Sequence, residues 1–116
     1  MIMKQQRGGR VNRVNSLVKQ IVAEEFLRNS DSVLNSLTVS HVDTSLDMKK
    51  TTVYVTSLDS KPKKVLDRLS KNRTKIQKSI SNQLDMKFTP RVEFDMDPLL
   101  ENVEKMNQLL NSISDE

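Results

Sequence analysis

Lysines and arginines are concentrated in the middle of this sequence. Residues 61 to 91 hold ten cations and two acidic residues, a net charge of +8. Cations that gather on one surface bind the phosphates of a nucleic acid, because each contact releases condensed counterions. We predict such a surface, with the following candidates: Lys61, Lys63, Lys64, Arg68, Lys71, Arg73, Lys75 and Lys78. The alternative is a pair of basic helices whose charges are only solvated.

The two ends of the chain differ in the sign of their charge. Residues 1 to 30 have a net charge of +4, with Arg7, Arg10 and Arg13 near the start, whereas residues 92 to 116 have a net charge of −6. The three arginines could lie along a nucleic-acid backbone, although a flexible charged tail is the commoner meaning of such residues. The acidic C-terminal segment would discourage indiscriminate binding of polyanions.

Several kinds of site lack the residues that they need. Without cysteine the chain has no disulfide, no thiolate nucleophile and no cysteine-ligated zinc, and a reducing cytoplasm is its expected setting. His41 is the only histidine, so no histidine pair exists for metal binding or acid–base catalysis, and a place on a strand surface explains this residue better. Gly8 and Gly9 are the only glycines, which excludes a glycine-rich phosphate loop.

Three carboxylates near the end of the basic segment, Glu93, Asp95 and Asp97, are the remaining candidates for a magnesium site. Repulsion of RNA explains this acidic region better than a magnesium site does, so we expect no metal. With no other candidate site in the sequence, we expect no cofactor and no enzymatic activity. No run approaches the roughly 20 apolar residues that span a bilayer, and the basic N-terminus lacks the apolar segment of a secretion signal. We therefore expect a soluble, cytoplasmic monomer.

The hydrophobic periodicity predicts the elements that position these residues. Apolar residues at helical spacing indicate a first helix over residues 10–28 and a last helix over residues 98–112. Alternating β-branched residues indicate strands over residues 36–43 and 51–56. Two strands so close in sequence should form an antiparallel hairpin.

Two helices and a strand are predicted to follow the hairpin. Ser60-Lys61-Pro62 is typical of a helix start, and apolar residues at every fourth position indicate a further helix over residues 73–84. Residues 70–74 lack large apolar side chains, which places a bend between the two helices. A third strand over residues 87–95 contains Pro90, so we expect an edge strand or one that begins with a bulge.

The resulting order is helix, strand, strand, helix, helix, strand and a C-terminal helix, an α+β domain with a three-stranded sheet covered by helices. One such domain over residues 10–112 fits the length of 116 residues, with a flexible basic arm over residues 1–9 and an acidic tail over residues 113–116. Aromatic residues make up only 3% of the chain, and three of the four are at positions expected to face the core. Base stacking is therefore not expected, and recognition should depend on shape and phosphate.

Four blocks of this sequence, in their order and spacing, resemble the ribosome-binding factor A family. They are Leu37-Thr38-Val39-Ser40-His41-Val42, Ser45-Leu46-Asp47-Met48, Thr52-Val53-Tyr54-Val55 and Phe88-Thr89-Pro90-Arg91-Val92-Glu93-Phe94-Asp95. Arg13-Val14 also resembles the family's opening of the first helix. The resemblance extends over residues 11 to 112 and implies a type II KH-like domain.

The resemblance also implies a function. It implies a non-enzymatic protein that binds the free, immature small (30S) ribosomal subunit through its 16S rRNA during late assembly, with other assembly factors as further candidate partners. It implies indirect promotion of 5′-end processing of the 16S rRNA precursor as well. RNA contact by part of the basic set then becomes the preferred interpretation.

This chain departs from the family pattern at two places. Members usually carry alanine-x-glycine at the bend between the two middle helices, where this chain has Asn72-Arg73-Thr74. They tend to have aspartate-proline-arginine before the first strand, where this chain has Asp31-Ser32-Val33. The first departure bears on the shape of the RNA-facing bend.

A different class of function is a protein-interaction module. The apolar stripe of the predicted C-terminal helix would bind a partner or a second copy through Leu99, Val103, Met106 and Leu110. Docking of this helix on its own sheet is the simpler alternative and the one we prefer. Salt discriminates between the two functions, because RNA binding weakens steeply with ionic strength and apolar association does not. A nuclease within this fold would lack the histidines or clustered carboxylates that it needs.

Overall fold

The part of the chain that the structure describes is built from three helices and three strands, in an order that confirms the predicted α+β class. A computed structural model describes residues 8–58 and 60–98. The elements are α1 (Gly8–Arg28), α2 (Ser32–Asn35), β1 (Thr38–Thr44), β2 (Lys50–Thr56), α3 (Pro62–Gln83) and β3 (Arg91–Met96). Most of the predicted basic arm, nearly all of the predicted C-terminal helix and the acidic tail lie outside the described residues.

The three strands form one mixed sheet in the order β1-β2-β3. β1 and β2 pair antiparallel across a short turn, which confirms the predicted hairpin, and β3 pairs parallel with β2. A parallel partner needs a long crossover, which α3 provides. β3 is an edge strand, as Pro90 predicted, but it begins at Arg91 rather than near residue 87. The strand starts only after the proline because Pro90 has no N–H to donate.

The core lies between one face of the sheet and the buried sides of α1 and α3. Its strand residues are Val39, Val42, Val53, Val55 and Val92, and its largest helix residues are Phe26, Leu69, Ile76 and Ile80. Val39 and Val42 are three residues apart, yet both are buried, because β1 shifts its register between Val39 and His41. A bulge of this kind adds one residue to a strand and so restores the inward direction of the next side chain.

A short polar network inside the core connects α1 to the hairpin. Thr44 and Thr51 are register partners at the turn end of β1 and β2, and both are fully buried. The Thr44 hydroxyl donates to Asn15 Oδ1 at 2.5 Å and lies 2.9 Å from the Thr51 hydroxyl. Since a hydroxyl has one proton, Thr51 must donate to Thr44. The N-terminal half of α1 is thereby held at the end of the sheet where β1 turns into β2.

The predicted bend between two middle helices is wrong, because α3 is one continuous helix from Pro62 to Gln83. Leu69 and Ile76 are seven residues apart, two helical turns, so they lie on the same buried side without a break. The gap between them is filled by a polar residue, Arg73, whose Nη1 donates to the Val92 carbonyl of β3 at 3.3 Å. No proline or glycine lies between Pro62 and Gln83 to bend the helix.

The four-residue helix α2 was not predicted, although its first residue is preceded by a typical N-cap. Asp31 Oδ1 accepts from the Val33 N–H at 2.9 Å, and Val33 and Leu34 are buried. The other carboxylate oxygen, Oδ2, accepts from Arg68 Nη1 at 2.7 Å, which connects α2 to α3. The sequence pattern did not indicate this helix, because four residues are too few for a hydrophobic period.

The ion pair between Asp31 and Arg68 makes the stability of the fold depend on pH. The hydrogen bond from the Arg68 guanidinium lowers the pKa of the Asp31 carboxyl, and the Val33 N–H acts in the same direction. A carboxyl with a depressed pKa stabilises the fold above its unfolded pKa, and this contribution is lost as pH falls through the folded pKa. Asp31→Asn keeps an N-cap of equal quality but removes the charge.

We expect Asp31→Asn to lower the melting temperature at about pH 7, where the carboxyl is ionised. The difference from the unaltered chain should close as pH falls through the acid range, in a series of thermal melts followed by circular dichroism. Asp67→Asn serves as the control, because its ion pair with Lys71 is exposed and such pairs contribute little. A difference that stays constant with pH would show that the charge is not the cause.

Gln77 on α3 fixes the start of β3, so its loss should destabilise the fold. Its Oε1 accepts from the Val92 N–H at 2.8 Å, and its Nε2 donates to the Pro90 carbonyl at 3.0 Å. Gln77→Leu leaves both backbone groups without these partners and should lower the free energy of unfolding by about 1–3 kcal/mol. Gln83→Leu, at an exposed position of the same helix, should change it by less than about 0.5 kcal/mol. Equal values for the two variants in urea titrations would contradict this role.

Candidate nucleic-acid interface

Five of the eight cations predicted for the middle segment form one row along α3. They are spaced alternately four and three residues apart, which on a helix puts them on the same side: Lys64, Arg68, Lys71, Lys75 and Lys78. We call this row the α3 stripe. The buried residues of the helix, such as Leu69 and Ile80, lie on another side. Because α3 is unbroken, the α3 stripe is straight and extends over about 21 Å.

The lysines of the α3 stripe are available to bind an anionic partner, whereas its arginine is not. Lys64, Lys75 and Lys78 are exposed, and none has an ion-pair partner among the described residues. Lys71 Nζ is 3.3 Å from Asp67 Oδ2 in an exposed pair, which a phosphate can replace at little cost. Arg68 is different, because its short bond to Asp31 is part of the fold and offsets its charge. Four lysines therefore remain for an anionic partner.

The other predicted cations of the segment lie away from the α3 stripe. Lys61 and Lys63 are exposed at the beginning of the helix. Lys61, not Ser60, is the N-cap, and its side chain makes no capping hydrogen bond. Arg73 is half-buried with its guanidinium bonded to β3, so its role in the structure is to hold the strand.

The backbone of α3 offers no free N–H groups beside Arg73. A helix that began at residue 73, as predicted, would have offered those of its first turn to a phosphate. Since α3 is continuous there, those N–H groups are inside the helix. Phosphate affinity along this side must therefore come from side chains.

The N-terminal arginines are divided by the limits of the described residues. Arg10 and Arg13 are exposed in the first turns of α1, which begins two residues before the predicted start. They are thus part of a helix whose position is fixed through Asn15 and Thr44. Arg7 lies outside the described residues.

The four aromatic residues are distributed differently from the expectation. Phe26 is buried and Phe94 packs against the core, so two of the four face it rather than three. Tyr54 lies on the opposite face of the sheet and stacks on His41, with ring centroids 4.3 Å apart. His41 is exposed on this strand surface, as predicted. Phe88 is the most exposed of the four, with 75% of its surface accessible.

The described residues offer little that suits other kinds of site. Within residues 8–58 and 60–98, no group of three or more histidine, cysteine, aspartate or glutamate side chains could hold a metal ion. In the same part of the chain, no helix combines the length and the apolar content needed to cross a membrane. The row of lysines on α3 is the dominant chemical feature of the described structure.

Comparison with known proteins identifies relatives of this sequence. The model of the family described as ribosome-binding factor A matches residues 10–110. Ribosome-binding factor A from Ruegeria sp. is 32% identical over 104 residues, which cover 85% of this chain and 79% of that protein.

Two solved structures extend the comparison to the fold. The crystal structure of ribosome-binding factor A from Thermus thermophilus superimposes with a TM-score of 0.66 at 27% identity, over 72% of this chain and 92% of that one. A homology model of the Thermus thermophilus factor, as fitted into the cryo-EM map of a 30S–RbfA complex, gives 0.59 at 29% identity, over 68% and 86%. The helix and strand order and these neighbours agree with the expected KH-like architecture. The chain belongs to the ribosome-binding factor A family.

Proposed function

We propose that this chain binds the free, immature 30S ribosomal subunit through its 16S rRNA, assists late assembly and promotes 5′-end processing of the 16S precursor. The observation that carries the proposal is the α3 stripe, with four exposed lysines in a straight row. Membership in the family supports it, and so does the Thermus thermophilus relative fitted into a 30S complex.

The geometry of the α3 stripe suits the backbone of RNA better than its bases. Lysine is a compact cation that binds phosphate as a point charge without demanding one orientation. A straight row over about 21 Å can contact successive phosphates of one folded RNA segment. The α3 stripe contains no aromatic residue. The contact therefore favours the shape of a folded RNA over its sequence.

Binding alone is sufficient for the proposed role. A protein that binds only the immature subunit stabilises the form that it binds, by mass action. The 5′ end of the precursor is then held in a form that nucleases can process, so the chain needs no reactive group of its own. Other assembly factors would act on the same particle, and the chain would bind it as a monomer.

Cosedimentation with ribosomal particles tests the proposal. The unaltered chain should sediment with free 30S subunits at low salt and be released at high salt. A variant with Lys75→Gln and Lys78→Gln should bind more weakly and should lower the slope of log affinity against log salt by about 1.4 to 1.8, because each phosphate contact contributes about 0.7 to 0.9.

A matched control removes the same charge from another element. Lys19→Gln with Arg28→Gln takes two exposed cations from α1, and the Arg28 pair with Glu25 is a surface pair of little value. This control should keep the salt dependence of the unaltered chain. Absence of cosedimentation at both salt concentrations would refute the proposal. Salt-insensitive cosedimentation would favour the C-terminal apolar stripe and a protein partner.

The role in processing is tested in cells. When the only copy of the chain is the Lys75→Gln, Lys78→Gln variant, 16S rRNA with an unprocessed 5′ end should accumulate, because the particle is no longer held for processing. Primer extension measures the ratio of precursor to mature ends. The α1 control variant should give the ratio of the unaltered chain. Normal ends in cells that carry the stripe variant at equal protein level would refute the role in processing.

A further inference from the structure

We propose that the chain has a second RNA site, which takes an unpaired nucleotide, at the end of the sheet where β1 turns into β2 and β3 begins. Its residues are Lys49, Lys87, Phe88 and Arg91, which we call the hairpin-end surface. In this site the Phe88 ring stacks on the base and the three cations contact the neighbouring phosphates. The inference rests on the proposed function, since it concerns the same class of partner, but none of these residues belongs to the α3 stripe.

Backbone pairing brings the cations of this surface together from separate parts of the chain. The Arg91 N–H donates to the Lys49 carbonyl at 2.9 Å, and Arg91 is the register partner of Lys50. Adjacent strands are about 4.8 Å apart, so Lys49 and Arg91 are neighbours although 42 positions separate them in the chain. Lys87 belongs to the segment that leads into β3. All three cations are exposed.

Two acidic residues near the hairpin-end surface, Glu93 and Asp47, are engaged by other groups. Glu93 Oε1 is 3.8 Å from Lys50 Nζ in an exposed pair, so each of these two charges offsets the other. Asp47 accepts from the Ser45 hydroxyl at 2.6 Å and from the Lys49 N–H at 3.1 Å. These bonds engage the Asp47 carboxylate within the turn. The side chains of Lys49, Lys87 and Arg91 have no ion-pair partner among the described residues.

Phe88 is the feature that indicates a base rather than phosphate alone. The residue is 75% exposed, whereas Phe26 is buried and Phe94 packs against the core. Lys87 Nζ lies 5.6 Å from the ring centroid, within the range of a cation–π contact. An isolated exposed apolar side chain needs no explanation. An exposed ring beside Lys87, in the segment that leads to Arg91, combines the two contacts by which proteins hold single-stranded RNA, stacking and phosphate binding.

The backbone that carries this surface is held in place before any ligand binds. Pro90, two residues after Phe88, is buried, and its carbonyl accepts from Gln77. On the other side, the Ser45 N–H donates to the Lys50 carbonyl at 2.9 Å and closes the β1–β2 turn. Preorganised groups lose less entropy on binding, so a backbone fixed at Pro90 and at the turn favours affinity.

The stacking contact requires an unpaired nucleotide. Bases inside an RNA duplex are stacked on one another, so an aromatic side chain reaches them only in loops, bulges and ends. A short oligouridine of about eight nucleotides, which forms no duplex, is therefore the probe. Its affinity for the full chain is measured by fluorescence anisotropy at a series of salt concentrations.

Phe88→Leu keeps an apolar side chain but removes the ring, and Phe88→Tyr keeps the ring. We expect Phe88→Leu to weaken binding of the oligouridine about five- to hundredfold and Phe88→Tyr to bind like the unaltered chain. The melting temperature should not change, because residue 88 is exposed. A 2-aminopurine base placed in the oligonucleotide should lose fluorescence on the unaltered chain and keep it on Phe88→Leu.

The cations are tested separately in the same assay, through the salt dependence of the affinity. Lys49→Gln with Arg91→Gln should lower the salt slope by about 1.4, because single-stranded contacts contribute about 0.7 each. Lys75→Gln with Lys78→Gln on the α3 stripe should leave the oligouridine affinity unchanged while it impairs sedimentation with 30S subunits. Failure of the proposed function and failure of the hairpin-end surface are therefore distinguishable.

Three outcomes would overturn the inference. One is an unaltered chain that does not bind oligouridine at low salt. Another is equal affinity of Phe88→Leu and Phe88→Tyr, which would show that the ring does not stack. The third is a Phe88→Leu variant that binds oligouridine normally but binds 30S subunits more weakly at every salt concentration, which would assign Phe88 to a protein of the subunit.

Discussion

The sheet depends on the way in which two polar side chains of α3 satisfy the backbone of its edge strand. The Arg91 and Asp97 N–H groups donate to carbonyls on the β2 side, so the alternation of the strand directs the Val92 N–H and carbonyl to the opposite, outer edge. Gln77 accepts from that N–H, and Arg73 donates to that carbonyl. Unpaired strand edges invite association with other chains. Here the helix that connects β2 to β3 also covers the beginning of the edge that it creates.

This arrangement divides the cations of α3 between two tasks. The two arginines, Arg68 and Arg73, bond to fixed partners beside α2 and in β3. Their planar guanidinium groups suit directed hydrogen bonds. The lysines of the α3 stripe are left toward solvent, where a flexible cation can follow a phosphate. One uninterrupted helix thus holds α2 and β3 through its arginines and presents its lysines to solvent. The Asn72-Arg73-Thr74 segment, which departs from the family's bend, contains the arginine that holds β3.

The sequence predicted well the structural features that depend on residues close together in the chain. The β1–β2 hairpin and the edge position of β3 followed from local alternation and from Pro90. The predicted bend failed because Arg73 fills a half-buried helix position, and its partner, Val92, is too distant in sequence for periodicity to reveal. The charge count located the α3 stripe as a group but could not separate Arg68, whose partner Asp31 lies on another element.

The sequence did not predict the hairpin-end surface, and the physical reason is the same. Lys49 and Arg91 belong to segments whose charges look ordinary when each is read alone. Only the parallel pairing of β3 with β2 makes them neighbours. A search for dense runs of charge finds surfaces built on one helix and misses those assembled by a sheet.

The buried hydroxyl pair of Thr44 and Thr51 affects the register of the strands around it. A slip of one strand of the hairpin by one residue would move its threonine to the other face and would break the hydrogen bonds that join Asn15, Thr44 and Thr51. Mispairing would therefore leave polar atoms unsatisfied in the core, at a cost of about 1–3 kcal/mol each. β3 pairs with β2, so a β2 strand that is held in register at Thr51 gives β3 a partner in a fixed position, with Lys50 opposite Arg91. The two buried hydroxyls thus help to set the distances between charges on the surface of the protein.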